Sequence, residues 1–222
     1  MKSTTVETDR KTALTPADLC VPTLAEAPLS RRGWIFELKY DGFRILATKH
    51  GSSVALLSRR GTDFTDRFPE IATELAMLPD VVLDGELVSL DDGGRPQFEK
   101  LVRRSRLKRK ISIDHGARTE PAALFVFDIL ELCGRDVRKM ALLDRKQTLG
   151  EAIGTGSRIR SVGYVPSMGI ELFNAADDAG LEGIVAKRED SPYRRGRSSD
   201  WIKIKTAHGR AIDEDRARWN ER

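Results

Sequence analysis

Short apolar segments separated by turn-forming residues run along the chain, and this pattern limits the folds that the chain can adopt. We predict strands at residues 34–39, 44–49, 54–59, 81–90, 122–132, 183–189 and 201–207. We predict helices at residues 67–79, 97–110, 142–153 and 169–180. Turns at Asp41-Gly42 and at His50-Gly51-Ser52 would join the first three strands into an antiparallel meander, whereas residues 14–28 are predicted to form a loop with one short helix. Meanders with separated helices are typical of an α+β fold.

The length of 222 residues fits one large domain or two small ones. No apolar segment approaches the roughly 20 residues that a membrane helix needs, and the polar start of the chain lacks the apolar region of a signal peptide. We expect a flexible tail at residues 1–15, a folded domain at 16–206 and a charged tail at 207–222. Cys20 and Cys133 lie far apart and the three histidines are isolated. This spacing argues against a zinc site or a disulfide framework and fits a reducing cytoplasm.

Positive charge is concentrated in two segments, although the net charge is only +4. Residues 103–110 have the sequence RRSRLKRK, with six cations in eight positions, and residues 194–197 have the sequence RRGR. Such clusters favour a polyanionic partner, but a solvated basic surface explains them equally well at this stage.

Lys39 lies at the end of the apolar segment WIFELK and has two interpretations. The strand could lie at a sheet edge, where the ammonium group reaches water. Alternatively, Lys39 is a nucleophile, which requires that burial and neighbouring cations favour its neutral amine. Carboxylates for Mg²⁺ and cations for phosphate would complete a phosphate-handling site. The candidate groups are Glu86 and Glu182, and Arg44, Lys187, Lys203 and Lys205.

Six motifs along the chain resemble, in order, those of the covalent nucleotidyltransferases, which comprise DNA ligases, RNA ligases and mRNA capping enzymes. These are KYDGFR at 39–44, SRRG at 58–61, LDGELV at 83–88, FVFDIL at 125–130, EGIVAK at 182–187 and WIKIK at 201–205. Their form is most similar to bacterial ATP-dependent DNA ligases of the end-joining type. The resemblance implies an α+β adenylation domain of the ATP-grasp-like type, with antiparallel sheets flanked by helices.

The resemblance also implies roles for residues around the nucleotide. Lys39 would attack the α-phosphate of ATP and carry AMP on its amine, and Arg44 would contact the sugar. Glu37 would line the adenine end of the pocket, or else be a solvent-facing strand residue. Asp41 would orient Lys39 or simply stabilise its turn. Phe127 would stack on adenine, with plain core packing as the alternative.

Metal and phosphate contacts follow from the same resemblance. Glu86 and Glu182 would serve Mg²⁺ or Mn²⁺ and the ribose region. Lys203 and Lys205 lie two residues apart, so both can face one phosphate, and Lys187 would also bind the nucleotide. Arg59 would contact the nucleotide or a nick phosphate, whereas Arg60 is expected to point away.

The implied substrate is nicked double-stranded DNA in the cytoplasm, and the implied reaction is nick sealing in DNA repair. The two basic segments and Arg59 would bind the DNA backbone without reading its sequence. The residues expected to take part in the first segment are Arg103, Arg104, Arg106 and Lys108.

One departure from the family leaves the activity open. Family ligases continue into an OB-fold domain, whereas 17 residues follow Lys205 here, too few for a five-stranded barrel. We therefore expect a lone adenylation domain with slow self-adenylation, served by a separate OB-fold or end-joining partner. The alternatives are a non-catalytic nucleotide- and DNA-binding relic, or an RNA ligase or capping-type enzyme.

Overall fold

Two β-sheets and six α-helices make up the structure, a computed structural model that describes the backbone of residues 14–220 and the side chains of residues 14–214. The strands are β1 Cys20–Ala25, β2 Trp34–Lys39, β3 Phe43–His50, β4 Ser53–Ser58, β5 Val81–Ser89, β6 Ala122–Leu132, β7 Arg135–Asp136, β8 Ile159–Ser161, β9 Tyr164–Pro166, β10 Gly183–Arg188 and β11 Gly196–Lys205. The helices are α1 Pro69–Ala76, α2 Phe98–Ser105, α3 Lys110–Thr119, α4 Leu142–Ile153, α5 Gly169–Asp178 and α6 Ala207–Asn220. Short 3₁₀ turns lie at Pro16–Asp18 and Thr65–Arg67.

Sheet A has the strand order β1-β11-β10-β2-β9, and sheet B has the order β4-β3-β5-β6-β7 with β8 beside β6. The pairings are antiparallel except for β1 with β11 and β6 with β8. The sheets face each other across a small apolar cluster that includes Cys20 and Trp201 from sheet A and Leu46 and Val82 from sheet B. This confirms the predicted α+β class, and the space between the sheets is where a ligand can enter.

Helices cover the outer faces of both sheets. Leu101 of α2, Ile71 of α1 and Leu149 of α4 pack with alternate residues of sheet B such as Leu83 in the main core. Ala176 of α5 packs on sheet A with Ile184 and Ile204. Because strand side chains alternate between faces, the residues between these core positions point toward the other sheet.

The chain changes sheet at the Asp41-Gly42 turn, so the predicted meander from β2 to β3 is wrong. β2 pairs with β9 and β10 in sheet A, whereas β3 pairs with β4 and β5 in sheet B. A Cβ at Gly42 would lie 2.1 Å from the carbonyl oxygen of Leu87, so the turn passes too close to β5 for any other residue. The turn thus places Lys39, in sheet A, and Arg44, in sheet B, on opposite sides of the space between the sheets.

Two further expectations need correction. β1 lies in the segment 14–28 that was expected to be a loop. The basic helix predicted at 97–110 ends at Ser105 as α2, and residues 106–109 separate it from α3, which begins at Lys110. Residues 1–13 lie outside the described residues, and Ala207–Asn220 forms the 14-residue helix α6.

Candidate active site

A cleft of about 650 Å³ opens between the two sheets, and six of the predicted site residues line it. They are Lys39, Arg44, Arg59, Glu86, Phe127 and Lys203. Arg60 lines the cleft as well, contrary to the expectation that it points away. The motifs that are scattered through the sequence therefore meet in one place, with cations and one carboxylate around an aromatic ring.

Lys39 ends β2, and its amine makes an ion pair with Glu182. The Lys39 Nζ atom lies 2.7 Å from Glu182 Oε2, and the lysine side chain is 24% exposed. The contact follows from strand register, because Lys39 pairs with Gly183 and Glu182 directly precedes it. The other oxygen of Glu182 lies 2.9 Å from Lys205 Nζ. A single buried carboxylate thus holds two of the predicted nucleotide-binding lysines.

Lys203 and Lys205 lie on the same face of β11, as their spacing predicted. Lys203 lines the cleft, and its pKa is lowered by partial burial and by the charges of Lys205 and Lys39. Burial acts to lower the pKa of Lys205, but hydrogen bonds to Asp213 and Glu182 outweigh burial and raise it. Lys205 is therefore held as an ammonium group beside the cleft.

Arg44 is fixed in the cleft by Asp84, a residue that the sequence analysis did not single out. Arg44 Nε and Nη2 donate to the two carboxylate oxygens of Asp84 at 3.0 and 2.7 Å. Asp84 is fully buried and also accepts a hydrogen bond from the Tyr193 hydroxyl at 2.6 Å. Burial disfavours the charge on Arg44, but Asp84 more than offsets it and raises the pKa of Arg44. The alternation of β5 could have suggested Asp84, which lies two residues from Glu86 on the same face.

Phe127 projects from β6 into the cleft and is partly exposed. The guanidinium carbon of Arg44 lies 5.2 Å from the centre of its ring, and Lys187 Nζ lies 4.7 Å from it. Phe125 instead is buried and stacks on Tyr40 at 4.2 Å, as expected for a core residue. The position of Phe127 is compatible with stacking on a base, which stays a prediction.

Glu37 is buried in an ion-pair cluster, so the alternative of a solvent-facing strand residue is wrong. Its Oε2 atom lies 2.6 Å from Lys187 Nζ, and its Oε1 atom contacts Lys146 of α4. Lys187 is also 3.9 Å from the centre of the Trp201 ring. Desolvation lowers the pKa of Lys187 to about 8, although Glu37 opposes the shift. The sequence analysis missed Lys146, which the helical spacing of Leu142, Lys146 and Leu149 places on the inner side of α4.

Glu86 faces Arg44 across the β3–β5 pair. Burial raises the pKa of Glu86 to about 7, even though the charges of Lys39 and Arg44 lower it. No group of three metal-ligating side chains occurs in the part of the chain that the structure describes. Mg²⁺ usually takes one or two carboxylates together with phosphate oxygens and waters, and Glu86 in this cleft fits that pattern. Both oxygens of Glu182, by contrast, are engaged by lysines.

The basic segment at 103–110 is less uniform than its sequence suggests. Arg104 was predicted to bind DNA, and this is wrong, because its side chain is 1% exposed. It pairs with Glu70 and donates to the carbonyl oxygens of Glu120 and Arg67. Arg103, Arg106 and Lys108 are exposed, as are Arg194, Arg195 and Arg197. These exposed side chains can reach a polyanion, although Arg103 also pairs with Glu120. Phe98, the first residue of α2, lines the cleft.

Solved structures of similar fold identify the class of the domain. A mycobacterial DNA ligase D complexed with ATP and MES is 31% identical to this chain, with a TM-score of 0.69. The match covers 84% of this chain and 59% of the ligase D chain. The ligase domain of LigD from M. tuberculosis is 30% identical to this chain, with a TM-score of 0.67. That match covers 86% of this chain and 62% of the LigD ligase domain chain. The fold and the lysine-lined cleft are together those of a ligase nucleotidyltransferase domain.

The sequence comparisons name the family. The profile described as "ATP dependent DNA ligase domain" matches residues 20–205. The bifunctional non-homologous end joining protein LigD of Bacillus subtilis is 36% identical over 204 residues, and the multifunctional LigD of Pseudomonas aeruginosa is 37% identical over 188. The chain belongs to the ATP-dependent DNA ligase domain family. It spans 33% and 21% of the length of those two relatives, while they match 83% and 82% of it.

Among the described residues, no helix is both long and apolar enough to cross a membrane.

Proposed function

We propose that this chain is the adenylation unit of a DNA ligase, with Lys39 as the nucleophile. The observation that carries the proposal is the position of Lys39 Nζ, in a cleft with cations for phosphate and next to a buried carboxylate. ATP is the nucleotide that the family description names. The reaction comprises three phosphoryl transfers, in which positioning and charge neutralisation supply most of the catalysis.

The first transfer forms a phosphorus–nitrogen bond between Lys39 Nζ and the α-phosphate, and the bond to the pyrophosphate oxygen breaks. Lys39 must first lose a proton, and Glu182 Oε2 is in hydrogen-bond contact with the amine to accept it. In the second transfer, an oxygen of a DNA 5′-phosphate attacks the AMP phosphorus and displaces Lys39. In the third, a 3′-hydroxyl attacks the 5′-phosphate, and AMP leaves as the strand is sealed.

The surrounding residues receive roles according to their positions. Phe127 stacks on the base, and Arg44, pre-oriented by Asp84, contacts the sugar. Lys203 and Lys205 bind the phosphate of the nucleotide. Mg²⁺ or Mn²⁺, held by Glu86 and by Glu182 if it releases a lysine, would supply further neutralisation of phosphate charge when bound.

The buried cluster of Glu37 with Lys187 closes the base end of the site. Because both side chains are almost fully buried, any polar contact they make with a base would be made without competition from water.

Nicked duplex DNA is the proposed substrate, in bacterial repair within the cytoplasm. Arg59 at the cleft contacts the nick, and the exposed cations Arg103, Arg106 and Lys108 bind backbone phosphate. Such contacts do not read sequence, which suits an enzyme that joins arbitrary ends. Relatives are named for non-homologous end joining, and this supports an end-joining partner for the chain.

Sealing assays separate the steps. Wild-type protein should seal a nick in duplex DNA with ATP and Mg²⁺, whereas Lys39→Ala should not. Both proteins should seal a nick that already carries AMP, because that substrate bypasses Lys39. Sealing of the plain nick by Lys39→Ala would contradict the proposed role of Lys39.

A further inference from the structure

Helix α6 begins directly after β11, and its first turn is fixed against the turn that carries Glu182. The amide of Thr206 donates to the Glu182 carbonyl at 3.2 Å, and its hydroxyl donates to the Leu181 carbonyl at 2.6 Å. A Cβ at Gly209 would lie 2.0 Å from the Glu182 carbonyl oxygen, so only glycine allows this approach. The start of α6 is therefore held at the edge of the site.

One helical turn beyond Gly209, Asp213 returns to the site and contacts Lys205. Asp213 Oδ1 lies 2.6 Å from Lys205 Nζ, which in turn lies 2.9 Å from Glu182 Oε1. Glu182 Oε2 then contacts Lys39 Nζ. Four alternating charges thus connect α6 to the lysine that is proposed to carry AMP.

The two carboxylates on Lys205 differ in exposure. The side chain of Asp213 is 58% exposed, whereas that of Glu182 is 4% exposed. Water screens an exposed ion pair, so losing it costs little free energy. Removing Glu182 would instead leave two cations without their buried partner, which is strongly unfavourable. Asp213 is therefore the partner of Lys205 that another anion can replace.

We propose that Asp213 is a further residue of the nucleotide site. Its carboxylate oxygen contacts Lys205 at the position that a phosphate oxygen of the nucleotide would take, so Asp213 competes with the nucleotide for Lys205. The inference rests on the proposed function, which assigns Lys205 to the phosphate. Carboxylate and phosphate oxygens are both anionic acceptors for an ammonium group, so one can replace the other. The affinity for ATP is then reduced by the free energy of displacing Asp213 from Lys205.

Equilibrium binding of the unreactive analogue α,β-methylene-ATP with Mg²⁺, measured by calorimetry, tests the competition. Asp213→Asn keeps the shape of the side chain and removes its charge, and it should lower the Kd by about two- to fivefold, the range expected for an exposed ion pair. Glu214→Gln is the matched control, because it removes the same charge from the next residue of α6, and its Kd should equal that of the wild type. In a Lys205→Met background, Asp213→Asn should have no effect.

An unchanged or higher Kd in Asp213→Asn would overturn the inference, as would an equal gain in Glu214→Gln. Asp213→Ser, which also removes the charge, should repeat the result and guards against a misfolded variant. Labelling of wild-type Lys39 by ATP, run alongside, distinguishes the two proposals. If Lys39 is labelled but Asp213→Asn leaves the Kd unchanged, only the proposed competition is overturned. If the wild type binds no ATP, both the competition and the proposed function are overturned.

Discussion

Replacing Arg104 by methionine should destabilise the fold rather than weaken DNA binding. The guanidinium group is buried, with Arg104 Nη1 2.8 Å from Glu70 Oε1 and 2.7 Å from the Glu120 carbonyl oxygen. Its guanidinium carbon also lies 4.9 Å from the centre of the Phe68 ring. After the substitution, Glu70 keeps a hydrogen bond from the Ala122 amide but loses its cation. The site therefore retains a buried carboxylate with a single donor.

Breaking a buried ion pair by removing one partner costs about 3–5 kcal/mol of the free energy of unfolding. For a chain of this length, each kcal/mol lowers Tm by about 2–4 °C, so the melting temperature should fall by roughly 6–20 °C. Thermal unfolding followed by circular dichroism measures the change. Arg106→Met is the matched control, because Arg106 is exposed two residues away and its loss should change stability by no more than about 0.5 kcal/mol. A Tm within about 2 °C of wild type, together with weaker DNA binding, would refute the structural role of Arg104.

Three further outcomes follow from the site. Phe127→Leu should weaken ATP binding about tenfold or less with little change in Tm, and a large Tm loss at unchanged affinity would assign Phe127 to the core instead. Replacing Arg103, Arg106 and Lys108 together by alanine should flatten the log–log salt dependence of DNA binding by about two to three units, and an unchanged slope would make these residues a solvated surface. The pKa of Glu86 is raised to about 7 from 4.5, so in metal-free protein its contribution to stability is present below pH 4.5 and lost as pH rises through about 7. Glu86→Gln should therefore gain stability relative to wild type above pH 7 but not at pH 4, as pH-dependent unfolding can show.

Local sequence predicted the elements whose signals are local. The apolar run of β6 and the helix α4 have the predicted bounds, because a long apolar segment and a 3.6-residue period each specify one structure without help from distant residues. The six motifs could be recognised from the sequence because the residues of each motif are neighbours along the chain, and their side chains indicated which residues line the cleft.

Features that depend on distant partners could not be predicted in the same way. β1 contains a proline and is short, and it becomes a strand by pairing in parallel with β11, more than 170 residues later. The Asp41-Gly42 turn has the sequence of a hairpin turn, which would pair β2 with β3. In the structure, β2 pairs with β10 instead, and β3 lies in the other sheet. Arg104 sits in a run of cations that suggests exposure, and its partner Glu70 is 34 residues earlier. The contact between Asp213 and Lys205 similarly needs the path of α6 to be known.

Covalent labelling of Lys39 tests the central claim most directly. Wild-type protein is incubated with Mg²⁺ and ATP labelled at the α-phosphate or at the γ-phosphate, and is then run on a denaturing gel. We predict that the α-label stays on the protein, that the γ-label does not, and that acid releases the bound label. Lys49→Ala, which removes a lysine of β3 that pairs with Asp80, should label like wild type, whereas Lys39→Ala should not label. Equal α-labelling of Lys39→Ala and wild type would contradict the account.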